Sequence, residues 1–185
     1  MIIISEDISQ YQLTEMLQKA GNPHLQTLKK QMNQNSELEY TLSTPIKNLP
    51  KHQYLADPGS WLQNVPLFDM IEYTVKRSDF ESYLIKNSRG NFVGFIALFI
   101  DSEKGKKIIS NIKVFSFGLS PQEDENMILK DVPKLLDDCL KKYLKVTWTA
   151  LKGNKTNRAY EIYCKRKKGT KEDLGNSWRY TCYGK

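Results

Sequence analysis

The most constraining feature of this 185-residue chain is the order of hydrophobic patterns between Tyr83 and Tyr163. Two β-branched and aromatic runs, Ser82–Ser88 and Asn91–Asp101, flank a short glycine-containing turn, Arg89-Gly90-Asn91, which predicts a hairpin. A third run, Ser110–Ser120, follows the polar stretch Ser102–Lys107. Val132, Leu135, Leu136, Cys139, Leu140 and Tyr143 then recur with the spacing of one buried helix face. Lys145–Leu151 alternates as a strand, and Asn157–Tyr163 opens a second helix. Three neighbouring strands, a helix, a strand and a helix restrict the chain to an α/β (α+β) architecture with a mixed, mainly antiparallel sheet flanked by helices.

Composition narrows the class. The length suits one domain, 1–185, large enough to bury a core without staples, with residues 31–66 read as an irregular insertion. Cys139, Cys164 and Cys182 are widely spaced, odd in number and contain no C-x-x-C pair, which speaks against a disulfide framework or a zinc site. Cys139 falls on the apolar helix face and reads as a buried small hydrophobe. The apolar start MIIIS lacks a basic flank, and no run approaches the ~18 apolar residues of a membrane helix. A cytoplasmic protein is therefore expected. The net charge of +7 is concentrated at the end of the chain: Lys141–Lys185 contains thirteen Lys/Arg against three Asp/Glu. Its densest run, Lys165–Lys168, reads either as a footprint for phosphate, including nucleic acid, or as cations on a helix C-terminus.

Outside the central stretch, Ile2–Ile4 suggests a strand and Ser5–Ala20 a helix closed by Gly21-Asn22-Pro23, with His24 in a loop. Glu39–Leu42 suggests a short strand, Tyr40, Tyr54 and Trp61 act as anchors, and four prolines (Pro45, Pro50, Pro58, Pro66) punctuate this region. Val65–Arg77 is expected to be helical. Gly118 marks a bulge or a close approach of another backbone or ligand. Asp131 is the expected cap of a helix that places Pro133 in its first turn, and Thr156 or Asn157 the cap of the next. Gly169–Gly175 reads as loop and Ser177–Tyr183 as a last strand; Trp148 and Trp178 are expected to pack in the sheet.

From Tyr83 onward the sequence resembles the GCN5-related N-acetyltransferase superfamily. VGFIALFID and IKVFSFGLSP resemble its third and fourth strands, VPKLLDDCLKKY its following helix, and KVTWTAL its fifth strand. TNRAYEIYCKRKKG is similar to the N-x-x-A-x-x-x-Y segment, with Ala159 and Tyr163 at the right separation and Asn157 one place late. The resemblance implies an acyl-CoA-dependent N-acyltransferase that moves an acetyl group from acetyl-CoA directly to an amine. Backbone groups at Phe117, Gly118 and Leu119 would hold the pantetheine arm between splayed fourth and fifth strands, with Asn157 beside it. Tyr163, or Tyr160 one turn earlier, would protonate the leaving thiolate. Asp101 and Glu103 are the candidate bases, against the plainer reading of solvated strand ends.

One place departs from the family pattern. Where the superfamily has a basic, glycine-rich pyrophosphate loop, this chain reads Asp124-Glu125-Asn126-Met127-Ile128-Leu129. Carboxylates repel a pyrophosphate, so either the cofactor is held with help from Lys165–Lys168 or the fold has lost it. The alternative expectation is thus a non-catalytic or nucleic-acid-directed member, binding DNA or RNA or modifying bases through its basic C-terminal face.

Overall fold

The computed structural model describes residues 16–54, 56, 63–118, 124 and 127–184. Its elements are β1 (Met16–Lys19), α1 (Asn22–Gln34), α2 (Ser36–Ser43), α3 (Leu67–Lys76), β2 (Phe80–Lys86), β3 (Phe92–Glu103), β4 (Lys106–Ser116), α4 (Val132–Lys142), β5 (Lys145–Leu151), α5 (Thr156–Arg166), β6 (Thr170–Asp173) and β7 (Ser177–Tyr183). The strands form one seven-stranded sheet in the order β1-β2-β3-β4-β5-β7-β6. Every neighbouring pair is antiparallel except β4 and β5. The expected mixed, mainly antiparallel sheet is the observed one.

Local chemistry explains the central meander. β3 and β4 extend further than the polar stretch suggests, because they are joined by only two residues, Lys104 (φ 54°) and Gly105 (φ 78°). Two successive positive φ values give the turn a twist that matches its flanking strands. In β4, Ile112 and Val114 join the core on one face, while Phe115 and the following Phe117 join the other. The first face carries α4 and α5; the second carries α1, α2 and α3. Trp148 of β5 is buried, stacked on Tyr180 at 5.6 Å and edge-on to Tyr160 and Tyr163. Trp178 is only half-buried, its ring covered by the ammonium groups of Lys152 and Lys171.

Several local expectations are corrected. Met16–Lys19, the end of the expected first helix, is a strand that pairs with β2; residues 2–4 and 5–15 lie outside the described part. Glu39–Leu42 is helical, because Asn35 caps α2 by accepting hydrogen bonds from the Glu37 and Leu38 amides at 3.1 and 3.2 Å. With α2 and two 3₁₀ turns, Ile46–Asn48 and Lys51–Gln53, residues 31–54 contain more regular structure than their sequence suggested. Asp131 has helical dihedrals (φ −67°, ψ −45°) and does not cap α4, which is entered through a π-helical turn, Met127–Asp131. Neither Thr156 nor Asn157 is a cap; the Asn154 side chain accepts from the Thr156 amide at 3.2 Å. Thr170–Asp173, expected to be loop, forms edge strand β6.

Candidate active site

The distinctive geometry of the sheet lies between β4 and β5. Their parallel contact consists of one register pair, Ile109 with Val146. Beyond it β4 runs on to Ser116 and β5 to Leu151 with no further pairing between them. A strand that loses its neighbour leaves a row of backbone donors and acceptors exposed, and these need another partner.

Part of that edge is covered by the chain itself. Tyr54 forms an antiparallel bridge with Phe115, and the Ala56 amide donates to the Val114 carbonyl at 3.3 Å. Because β3 pairs with these same β4 residues on the other side, this strap of residues 51–54 and 56 lies on the side facing β5. Its attachment is specific. Tyr54 is buried, stands edge-on to Phe115, and donates its hydroxyl to the Ile46 carbonyl. Asn154, just before α5, donates to the Tyr54 carbonyl at 2.6 Å and to the Lys51 carbonyl at 3.5 Å.

Gly118 lies at the end of this edge. Its φ of +68° suits glycine, and a Cβ there would run into the Gln53 side chain. The close approach expected of Gly118 is therefore made by the protein's own strap. The backbone donors nearby are already used: the Phe117 amide bonds the Val93 carbonyl at 2.9 Å, and the Gly118 amide bonds Ser116 Oγ at 2.9 Å. The Ser116 hydroxyl in turn donates to Asp124. Burial raises the Asp124 carboxyl above its usual range, against the hydrogen bond from Ser116 and the field of His52. Leu119 and Glu125 lie outside the described residues.

The residues expected on α5 are placed as follows. Tyr163 is buried and donates its hydroxyl to Asp137 Oδ1 of α4 at 2.7 Å. Burial, then this bond, raises the phenol well above its usual range. Burial opposes the charge on Asp137, yet Tyr163 and Lys167, whose Nζ is 3.0 Å from the same oxygen, hold its carboxyl below the usual value. Tyr160 is fully buried. The Asn157 amide donates to the Leu151 and Asn154 carbonyls at 2.7 and 3.2 Å, and its oxygen accepts from Tyr180 at 2.7 Å. Asp101 and Glu103 are exposed near the β3–β4 turn, beyond the Ile109–Val146 pair and away from the divergence; Glu103 is paired with Lys145 at 2.7 Å.

The fit of this cleft to an acyl-CoA differs between its two ends. The Val114 carbonyl already accepts an amide N–H, so the edge suits an extended amide chain such as a pantetheine arm. Three buried polar atoms on the elements flanking the divergence have no hydrogen-bond partner among the described residues: Gln53 Oε1, Trp148 Nε1 and Thr156 Oγ1. An acceptor, a donor and a hydroxyl without partners are groups that a polar ligand could satisfy. At the other end, Asp124 presents a carboxyl where phosphates would be expected, so that corner does not itself form an anion cradle.

Sequence reasoning missed the strap, Asn154 and the Tyr163–Asp137 contact. Tyr54 was legible as an anchor, but neither it nor Asn154 carried a sign of its partner 100 residues away.

No protein-family model and no curated protein sequence matches the chain. Solved structures do. A spermidine N-acetyltransferase from Vibrio cholerae in complex with CoA and spermine superposes with a TM-score of 0.51 at 11% identity, over 93% of this chain and 95% of that one. A chimera of the Vibrio cholerae enzyme gives 0.55 at 12% identity over 93% and 95% of the two chains. A point mutant of that enzyme gives 0.55 at 11% identity over 91% and 94%. At this identity the likeness is one of fold.

Proposed function

We propose that this chain, which has the GCN5-related N-acetyltransferase fold, is an acyl-CoA-dependent N-acyltransferase whose donor site is the edge of β4 that β5 leaves unpaired. The observation that carries the reading is the divergence of β4 and β5 after Ile109–Val146, which leaves an amide-accepting edge between two strands. The CoA and spermine bound by a protein of the same fold support a thioester donor and an amine acceptor; acetyl is the acyl group put forward.

Acyl-CoA, when bound, supplies an activated thioester. The chain's own groups do the rest. The Val114 carbonyl takes a ligand amide in place of Ala56, with Phe117 and Gly118 following it along the chain and Asn157 supporting the β5–α5 corner. Binding therefore requires the strap to yield at Tyr54–Ala56. Lys165–Lys168, expected to help hold the phosphates, lies away from them: the run leads into Thr170, which pairs with Thr181 and through it with Thr147, level with the Ile109–Val146 pair, whereas Asp124 sits at the opposite, Gly118 end. Tyr163 is the proposed proton donor to the departing thiolate. Its hydroxyl proton is engaged by Asp137 and must leave that contact, and Lys167 keeps the carboxylate partnered when it does. Burial of all three cysteines agrees with direct attack by the amine rather than an acyl-cysteine route.

A second reading has its own support. The strap covers the edge that a pantetheine arm would use, which also suits a non-catalytic or nucleic-acid-directed protein. Within the basic run, Lys165 and Lys167 are ion-paired with Glu161 and Asp137, so less charge is available to nucleic acid than the sequence suggests.

Calorimetric titration with acetyl-CoA, on the wild type and on Asn154→Ala, separates the two readings. Removing the Asn154 amide loosens the strap from its Tyr54 carbonyl anchor. The acyltransferase reading expects binding that tightens severalfold in the variant. Absence of binding to either protein at millimolar acetyl-CoA would overturn it, and DNA titrations across a salt series then test the alternative.

A further inference from the structure

The last turn of α5 brings two thiols together over the end of β7. Cys164 Sγ is 3.5 Å from Cys182 Sγ, and the two residues are 3% and 0% exposed. Cys164 Sγ also contacts the Thr170 carbonyl at 3.4 Å and the Thr181 carbonyl at 3.7 Å. Gly169, half-buried, packs as a cover directly on both sulfurs. A Cβ at Gly169 would stand 2.9 Å from Cys164 Sγ and 3.0 Å from Cys182 Sγ.

That cover belongs to a short exposed turn. Lys168 has a positive φ of 57°, and the Gly169 amide returns to the Cys164 carbonyl at 2.8 Å. Beneath the sulfurs lies the buried Trp148–Tyr160–Tyr180 cluster. Opening of this surface turn is the route by which an oxidant reaches the pair, the kind of local fluctuation that precedes global unfolding. Cys139 is buried on α4 and has no thiol neighbour among the described residues, so it serves as an internal control.

We propose that Cys164 and Cys182 form a modification site, a dithiol that a two-electron oxidant of the peroxide class converts to a disulfide tying α5 to β7. The hydrogen bond from Cys182 lowers the Cys164 thiol, while the same contact and burial raise Cys182, so Cys164 is the attacking sulfur. Its thiolate attacks one peroxide oxygen; the O–O bond breaks, and the released hydroxide takes a proton to become water. Cys182 then attacks the sulfenic sulfur. The S–S bond forms, the S–O bond breaks, and a second water leaves. Two thiols and one peroxide thus give one disulfide and two waters. The sulfurs must approach by about 1.5 Å to reach covalent distance. Since Tyr163 precedes Cys164 on α5, oxidation also fixes the helix end that carries the phenol. The dithiol does not depend on the acyltransferase reading.

The test is peroxide treatment of the full chain, followed by denaturing alkylation and peptide mass spectrometry. The expected product is lighter by 2 Da, retains one alkylatable thiol at Cys139, and yields a linked peptide containing Cys164 and Cys182. Its melting temperature rises by several degrees, as expected for a loop closed across 18 residues, and reduction reverses the rise. In Cys182→Ser, peroxide gives a dimedone-reactive sulfenic acid at Cys164 and no 2 Da loss. Three alkylatable thiols after a treatment that fully oxidises glutathione would overturn the proposal, as would a linkage involving Cys139. The wild-type result decides even if the variant does not fold.

Discussion

The two halves of β4 solve the same problem differently. In its first half, Ile108–Ile112, the strand pairs with β3 on one side and meets β5 at Ile109 on the other, and the sheet is continuous. In its second half, Val114–Ser116, it keeps β3 but loses β5, and a remote piece of the chain supplies the missing partner. Continuity in the first half comes from apolar packing of adjacent elements. In the second it comes from backbone hydrogen bonds to a short segment that is tethered by Asn154 and seats Tyr54 and Ala56 in the core. The bonds that this segment makes to β4 are of the kind a ligand amide can make in its place.

The largest effect should come from the packed half. Ile109→Ala removes a fully buried side chain at the one β4–β5 pair, and its expected cost is about 3 kcal/mol in urea unfolding. A loss of less than about 1 kcal/mol would mean that the base of the divergence is not a packed hinge. Next is Gly118→Ala, which combines a positive φ with a collision against Gln53. Roughly 2 kcal/mol should be lost, and hydrogen exchange at the Ala56 amide should accelerate. Unchanged exchange would separate Gly118 from the seating of the strap.

A smaller effect is expected from Tyr163→Phe, which removes the hydrogen bond to Asp137 at a cost of about 1 kcal/mol. The pH dependence is informative because the Asp137 carboxyl is depressed in the folded protein. The stability it contributes is present above the unfolded carboxylate range and is lost as pH falls through the folded value. The gap between wild type and variant should therefore close on acidification, as read from melting temperatures between pH 2 and 7. Asp124→Asn should give the smallest effect, a gain of about a few tenths of a kcal/mol at neutral pH. Its sign is opposite because the Asp124 carboxyl is raised. The wild type bears no penalty below the unfolded carboxylate range and incurs one as pH rises through the folded value, so the gain should vanish in acid. A gain that persists in acid would assign it to something other than the carboxylate.

How far the sequence predicts such features depends on the range of the interactions. The β2–β3–β4 meander, α4 and β5 follow from periodicity within single elements, and they were legible. Asn35 illustrates a short-range signal read too weakly: a cap residue followed by Ser36-Glu37-Leu38 outweighs the β-propensity of Tyr40 and Thr41. The candidate site depends on distant partners. Tyr163 could be singled out from its segment, but Asp137 beneath its hydroxyl could not, because nothing in either residue's neighbourhood encodes the register between α4 and α5. The acids at Asp124 and Glu125 were legible as unfavourable to phosphate, while the bond from Ser116 to Asp124 needed the fold.

The two-residue turn at Lys104-Gly105 has a kinetic consequence. It lets β3 and β4 zip together through contacts close in sequence, an event on the microsecond scale for a hairpin. The strap, by contrast, closes through an Asn154–Tyr54 contact that spans 100 residues, and such long loops are costly to order before other structure exists. Refolding should therefore pass through a sheet whose inner edge is already formed but still uncovered, with the strap arriving last. The same order in reverse makes the uncovered edge the first partially open state reached from the folded protein.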